Sequence, residues 1–448
     1  MDKIKFAEFI KSNILSIFTG SEIIGEEPST PRDALVAQGT GGSLLIKFSK
    51  NDDYRYQIKR LQPFKNYEVS LVKSIVIELG ALKEQNINDA YFKTLQSYVI
   101  EKAICKSVSE SSYETLLEIV NQLTKWSRRT YEGQSATFGF LLCNIKAGEN
   151  TNKNLHISKI LSENFSAVLA DGINTCFKIS CDGYLLNYIT LPKSKDQNIS
   201  APYEYIDMAN ICYGSRVGVS LTATGDILMF HDKNLVYAKH AGVWTRYSHE
   251  EIIDRISDNS NDLSDKTRKA IYLSALDVSF AKTGGCVVHL DKSSENTFLR
   301  QINEADILIE QYYNKKQELN QDLLSLNAEN QELPTPPPYE EFLQTDRCAK
   351  IANMRCMISG RKFSDLSRKL RQELLGVDGA TVIDNDGDIV AVGAIIMIEN
   401  GNFSGGRLAA AKTLSKYGVS LKISEDGQIQ GFKYDKHKLK SLPIFMLG

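Results

Sequence analysis

Ten consecutive residues, Ile389 to Ile398, are all apolar or glycine, and they follow closely on the turn sequence Asp384-Asn385-Asp386-Gly387. A shorter apolar stretch, Ala380-Thr381-Val382-Ile383, precedes the turn. Two such runs joined by Asp-Gly chemistry are a buried hairpin. At half the length of a membrane span, the longer run belongs in a sheet interior and not in a bilayer.

The residues around this hairpin extend it into an α/β unit. Gly405-Gly406 leads into Arg407 to Lys416, rich in alanine and leucine. A strand pair follows, Val419 to Ser424 and Gln428 to Lys433, joined by Glu425-Asp426-Gly427. Upstream, Thr267 to Lys282 has a helical period with Leu273, Leu276, Val278 and Phe280 on one broad face. Gly284-Gly285 ends that helix before a strand, Cys286 to Leu290.

At 448 residues the chain is too long for one ordinary domain. Its 42% hydrophobic and 24% charged residues suit a globular protein, and a net charge of -2 offers no general field for nucleic acid. Bulk nucleic-acid binding is not expected. The eight cysteines are dispersed with no C-x-x-C pair, which points to buried thiols and a cytoplasmic location. Met1 to Phe18 interleaves apolar residues with Lys3, Lys5, Glu8 and Lys11, so it lacks a secretory core, and no membrane partner is expected.

Three regions follow from periodicity. Residues 1–134 read as mainly helical, with helices around Val69 to Leu82, Ala90 to Lys106 and Tyr113 to Trp126, the last with Ser111 and Glu114 at capping-box spacing. Gly39-Thr40-Gly41-Gly42 before the strand Ser43 to Phe48 lacks phosphate-loop spacing and reads as a plain loop. Residues 135–258 alternate toward strands: Phe138 to Ile145, Phe165 to Leu169, Cys176 to Ile179, Tyr184 to Ile189, Val217 to Thr222, Asp226 to His231 and Leu235 to Lys239. There Trp244 is a core plug or a base-stacking platform. Residues 259–448 form the α/β unit, interrupted at about 302–345 by a polar helical arm, Ile302 to Leu333, and a proline stretch. Pro336-Pro337-Pro338-Tyr339 reads as a stiff connector or a peptide ligand. Arg368, Lys369 and Arg371, on an expected helix Ser364 to Leu375, read as a solvated face or as support for a phosphate site.

Asp378-Gly379-Ala380 opens the hairpin's first strand, and Gly405-Gly406-Arg407 opens the alanine-rich helix. A glycine pair at a helix start leaves N–H groups and a positive dipole end for phosphate oxygens, and Arg407 adds a guanidinium. Each signal alone could be a turn, since Asp-Gly also occurs at 171, 182, 386 and 426.

Taken in order, Asp-Gly-Ala, long strand, Gly-Gly-Arg, helix, strand and Ser424-Glu425 resemble the diadenylate cyclase family. The resemblance covers Gly376 to Phe432 and extends toward Thr267. It implies a C-terminal mixed-sheet domain with flanking helices, preceded by the helical and β-rich regions. It further implies a homo-oligomer in which two such domains face each other, each holding one ATP. Two ATP condense to cyclic di-AMP with Mg²⁺ or Mn²⁺. Asp378 and Arg407 would be the catalytic residues. Gly379, Ala380, Gly405, Gly406, Arg407 and Ser424 would bind nucleotide, and Glu425 would hold the metal. The pattern departs from the family at Leu408, where a histidine is expected, at Ala409, where many members have a second arginine, and at Val377, which some branches replace with a metal-ligating histidine. Losing a charged hydrogen bond costs about 1.5 to 3 kcal/mol, which slows a reaction without abolishing it. A catalytically degenerate sensor binding ATP or a cyclic nucleotide, and an interaction protein using the arm, are the alternatives.

Overall fold

The computed structural model describes all residues except 1–2, 85–88, 147–154, 164–165, 257–261, 328–335, 346–347, 359 and 399–404. The chain is α/β and divides into two compact units, Met1–Ser248 and His249–Gly448. The helical region expected at 1–134 and the β-rich region expected at 135–258, as far as Ser248, share the first unit, because one hydrophobic core runs from Phe6 through Leu79 and Leu116 to Phe138, Val219 and Trp244; residues 249–258 belong to the second.

The first unit opens with helical turns from Lys3 to Ile17 and a four-stranded antiparallel sheet. Its strands are β1 (Glu22–Pro28), β2 (Val36–Gln38), β3 (Leu44–Ile46) and β4 (Tyr54–Lys59). Gly39 to Gly42 form a tight turn between β2 and β3. Helices Asn66–Glu84, Asp89–Val108 and Tyr113–Trp126 follow. The capping box is not made: Ser112 caps the third helix without a side-chain bond, and the Tyr113 hydroxyl engages Glu114 at 3.1 Å. A two-residue pair comes next, β5 (Thr130–Tyr131) with β6 (Gln134–Ser135).

The unit's main sheet contains β7 (Phe138–Cys143), β8 (Thr175–Ser180), β9 (Leu185–Thr190), β10 (Val217–Leu221), β11 (Ile227–His231), β12 (Asn234–His240) and β13 (Val243–Arg246). Their order is β13-β12-β11-β10-β7-β8-β9, with β7 and β8 parallel and the other neighbours antiparallel. The strand expected at 165–169 is instead a helical turn over Ser166–Leu169, held by the Ser166 hydroxyl on the Glu163 carbonyl at 2.6 Å. Short apolar runs carry no decisive period. Trp244 is a core residue, edge-on to Tyr237.

The second unit begins with helices His249–Ile256 and Asp262–Ala281. Its sheet holds β14 (Gly285–Leu290), β15 (Ala380–Ile383), β16 (Ile389–Ala394), β17 (Gly418–Ile423), β18 (Ile429–Asp435) and β19 (Lys440–Leu447). The order is β16-β15-β14-β17-β18-β19, with β14 and β15 parallel and the rest antiparallel. The apolar run expected to continue to Ile398 leaves the sheet at Ala394, and Ile395, Met397 and Ile398 are exposed. Gly393, at φ +62, kinks the chain there, and the Ile395 N–H donates to Asp306 instead of a neighbouring strand.

The arm is not free, and its helix starts later than expected. Asn303 caps a single tight turn, and the helix is described over Glu310–Asn327, with Tyr312 and Tyr313 buried; residues 328–333 lie outside the described residues. Tyr339 is buried too, its hydroxyl on the Ile307 carbonyl at 2.7 Å, and Tyr313 donates to the Pro337 carbonyl at 3.0 Å. Tyr339 is thus docked in its own unit's core and is not presented as a peptide ligand, while Pro337 and Pro338 beside it are exposed; Pro334 and Thr335 lie outside the described residues.

Arg368 and Arg371 do not form a solvated face. The helix Arg368–Gly376, capped by Ser367, buries both. Arg368 grips Asp277 with two bonds of 2.7 and 2.8 Å. Arg371 lies over the Phe363 ring, and burial together with the Arg368 charge brings its guanidinium down to about 10. Among the described residues, no helix is long and apolar enough to cross a membrane.

Candidate functional site

At one end of β14, β15 and β17 the second unit opens into a cleft of about 800 Å³. Every residue assigned to the site lines it: Asp378, Gly379, Ala380, Gly405, Gly406, Arg407, Ser424 and Glu425. Three separate segments are brought together here because β15 and β17 both pair with β14, and the helix Gly406–Leu414 leads directly into β17.

Two glycines fix the backbone that presents Asp378. Gly379 lies at φ +104, and a Cβ there would come within 2.5 Å of the Gly393 carbonyl carbon. Gly393 returns the contact, since its own Cβ would meet the Asp378 carbonyl oxygen at 2.7 Å. The close approach produces the register slip between Ala380 and Val382 and aims Asp378, which is solvent-exposed, at the cleft mouth.

Opposite, Gly405 at φ +98 caps the helix with no side-chain bond, so a nine-residue helix starts at the cleft. Among the described residues, a side chain on Gly406 would meet nothing within 4 Å. Arg407 donates to Glu425 at 2.8 Å, and the pair is held against Gly284, where a Cβ would come within 2.5 Å of the guanidinium nitrogen. Leu408 lies at the cleft wall and packs against the hydrophobic core, so no basic group stands at that position.

Several lining residues escaped the sequence reading. Lys422 enters from β17, and strand alternation places it on the same face as Ser424, which was the available signal. Asp426 comes from the adjoining turn. Cys286 lies on β14, and burial pushes its thiol up to about 12, so it is no nucleophile. Ile395, Ile396 and Ile398 add an apolar wall.

The cleft therefore combines two cations, three carboxylates, a helix N-terminus and an apolar side, a set suited to a ligand with anionic and planar apolar parts. The metal role assigned to Glu425 meets a competing partner in Arg407. Among the described residues, no group of three or more His, Cys, Asp or Glu could hold a metal ion. Comparisons with protein-family models and with curated proteins gave no match.

Proposed function

We propose that the second unit binds a nucleoside triphosphate in this cleft and handles it as a diadenylate cyclase would. The observation that carries the reading is the convergence of Asp378 with the Gly405-Gly406-Arg407 helix start in one cleft. Phosphoryl transfer needs alignment and charge neutralisation more than covalent help. Arg407, Lys422 and the helix amides would take the phosphates, the apolar wall the base, and Asp378 would orient and accept the proton of a 3′-hydroxyl. That hydroxyl attacks the α-phosphate of a second nucleotide and pyrophosphate leaves; repeated in the other direction, the step yields cyclic di-AMP. Two copies must face each other for this, which makes a homo-oligomer part of the proposal. The free thiols fit a reducing, cytoplasmic setting.

Leu408 and the Arg407–Glu425 pair favour a second reading, a sensor that binds the nucleotide without turning it over. Incubation of the full chain with ATP and Mg²⁺ or Mn²⁺, followed by chromatography, separates the two. Cyclic di-AMP that disappears with Asp378→Asn supports the cyclase. ATP binding that depends on Arg407 without product supports the sensor, and no binding overturns both.

A further inference from the structure

The two main sheets have one topology. In each, a helix leads to a central strand, a parallel strand follows after a long excursion, a hairpin returns at the edge, and a short helix enters an antiparallel strand on the other side. The orders β9-β8-β7-β10-β11-β12 and β16-β15-β14-β17-β18-β19 superpose term by term. Only β13 is extra.

The turns match bond for bond. In the first unit Ser180 N–H donates to the Tyr184 carbonyl at 2.9 Å and Gly183 N–H to Ser180 at 3.1 Å; in the second, Asp384 to Asp388 is 3.0 Å and Gly387 to Asp384 is 3.1 Å. The next hairpin repeats the agreement. Thr222 to Asp226 and Gly225 to Thr222 are 2.9 and 3.0 Å, and Ser424 to Gln428 and Gly427 to Ser424 are 2.9 and 3.0 Å. Strand register agrees as well: Phe140 pairs with Phe177 where Val287 pairs with Thr381, and Phe138 with Leu221 where Gly285 pairs with Ile423.

This register assigns counterparts to the cleft residues. Asp378 corresponds to Asn174, Glu425 to Ala223, Asp426 to Thr224 and Lys422 to Ser220. The first unit's short helix is Ile206–Ile211, and its entry, Pro202 to Ile206, contains no glycine and no basic residue. Asn174 is used structurally, with its amide nitrogen on Asp171 at 2.8 Å. Tyr205 is buried beside Phe230. Each charged group of the second unit's cleft is thus neutral or missing in the first.

We propose that the first unit carries a duplicate of the nucleotide scaffold from which the ligand chemistry has been removed. Each chain then offers one triphosphate site, in the second unit, and a reaction joining two nucleotides requires a second chain. The inference rests on the nucleotide reading above and specifies its stoichiometry and partner. Isothermal titration of the full chain with a non-hydrolysable ATP analogue is the test. One equivalent per chain is expected, weakened tenfold or more by Arg407→Ala. If circular dichroism shows that variant misfolded, Lys422→Ala is used in its place. Two equivalents, or one that survives these substitutions at full affinity, overturn the duplicate-site inference and leave nucleotide binding standing. No uptake by the wild-type chain overturns both.

Discussion

The Arg407 guanidinium donates to Glu425 at 2.8 Å across the face of Gly284, so the cation assigned to phosphate is engaged before any ligand arrives. Glu425 is well exposed, and such a pair contributes only about 0 to 1 kcal/mol. Glu425→Gln releases the arginine and removes one negative charge from the cleft. Metal-free ATP is expected to bind a few-fold more tightly, read by titration at two ionic strengths, with the gain shrinking as salt rises.

Gly284 at φ +69 is where the arginine passes the backbone. Gly284→Ala forces Arg407 away and strains the chain, costing about 1 kcal/mol of stability. The expected signature is a fall in ATP affinity approaching that of Arg407→Ala, alongside a small drop in the second unit's Tm. Unchanged affinity would refute the role given to the glycine.

Removing one partner of the buried Arg368–Asp277 pair leaves a charge without compensation, a loss of roughly 3 to 5 kcal/mol. Asp277→Asn should lower the urea midpoint of unfolding strongly, whereas the double replacement Arg368→Met with Asp277→Leu should recover most of the loss. A single variant as stable as wild type would contradict the buried-pair account.

Asp384 is buried and accepts from the Tyr312 hydroxyl at 3.1 Å and the Asp388 amide at 2.8 Å; burial raises its carboxyl to about 6. The folded state therefore holds the proton more tightly than the unfolded chain does. Its stabilising share is complete below about pH 4 and is lost as pH rises through 6. Asp384→Asn keeps the acceptor for the Asp388 amide, turns its NH2 to the Tyr312 oxygen, and should flatten stability against pH between 4 and 7, with a gain at pH 7.5 on the order of 1 to 2 kcal/mol. Guanidinium unfolding across that range is the check.

The hairpin at Asp384 to Gly387, the strand into Ala394 and the glycine-led helix were legible because each depends on neighbours within a few residues. The burial of Arg368 was not, since it is decided by Asp277, 91 residues away in sequence and with no local signature of its own; that of Arg371 was not, since it depends on how the helix packs in the unit. Lys422 was readable in principle from the alternation of β17. The topological repeat was hidden because a sheet order is set by which strands pair, and the two copies keep that order through turns whose residues mostly differ.

Tyr313 packs against both Tyr339 and Phe342, with ring centroids 5.0 and 4.7 Å apart, so the chain between Asn314 and Pro338 leaves from and returns to the same place. It is a closed excursion clipped at its base. Doubling such a loop costs only about 0.6 kcal/mol in closure entropy. A tag, a reporter domain or a protease site inserted between Asn327 and Pro336 is therefore expected to leave the sheet and the cleft in their shape.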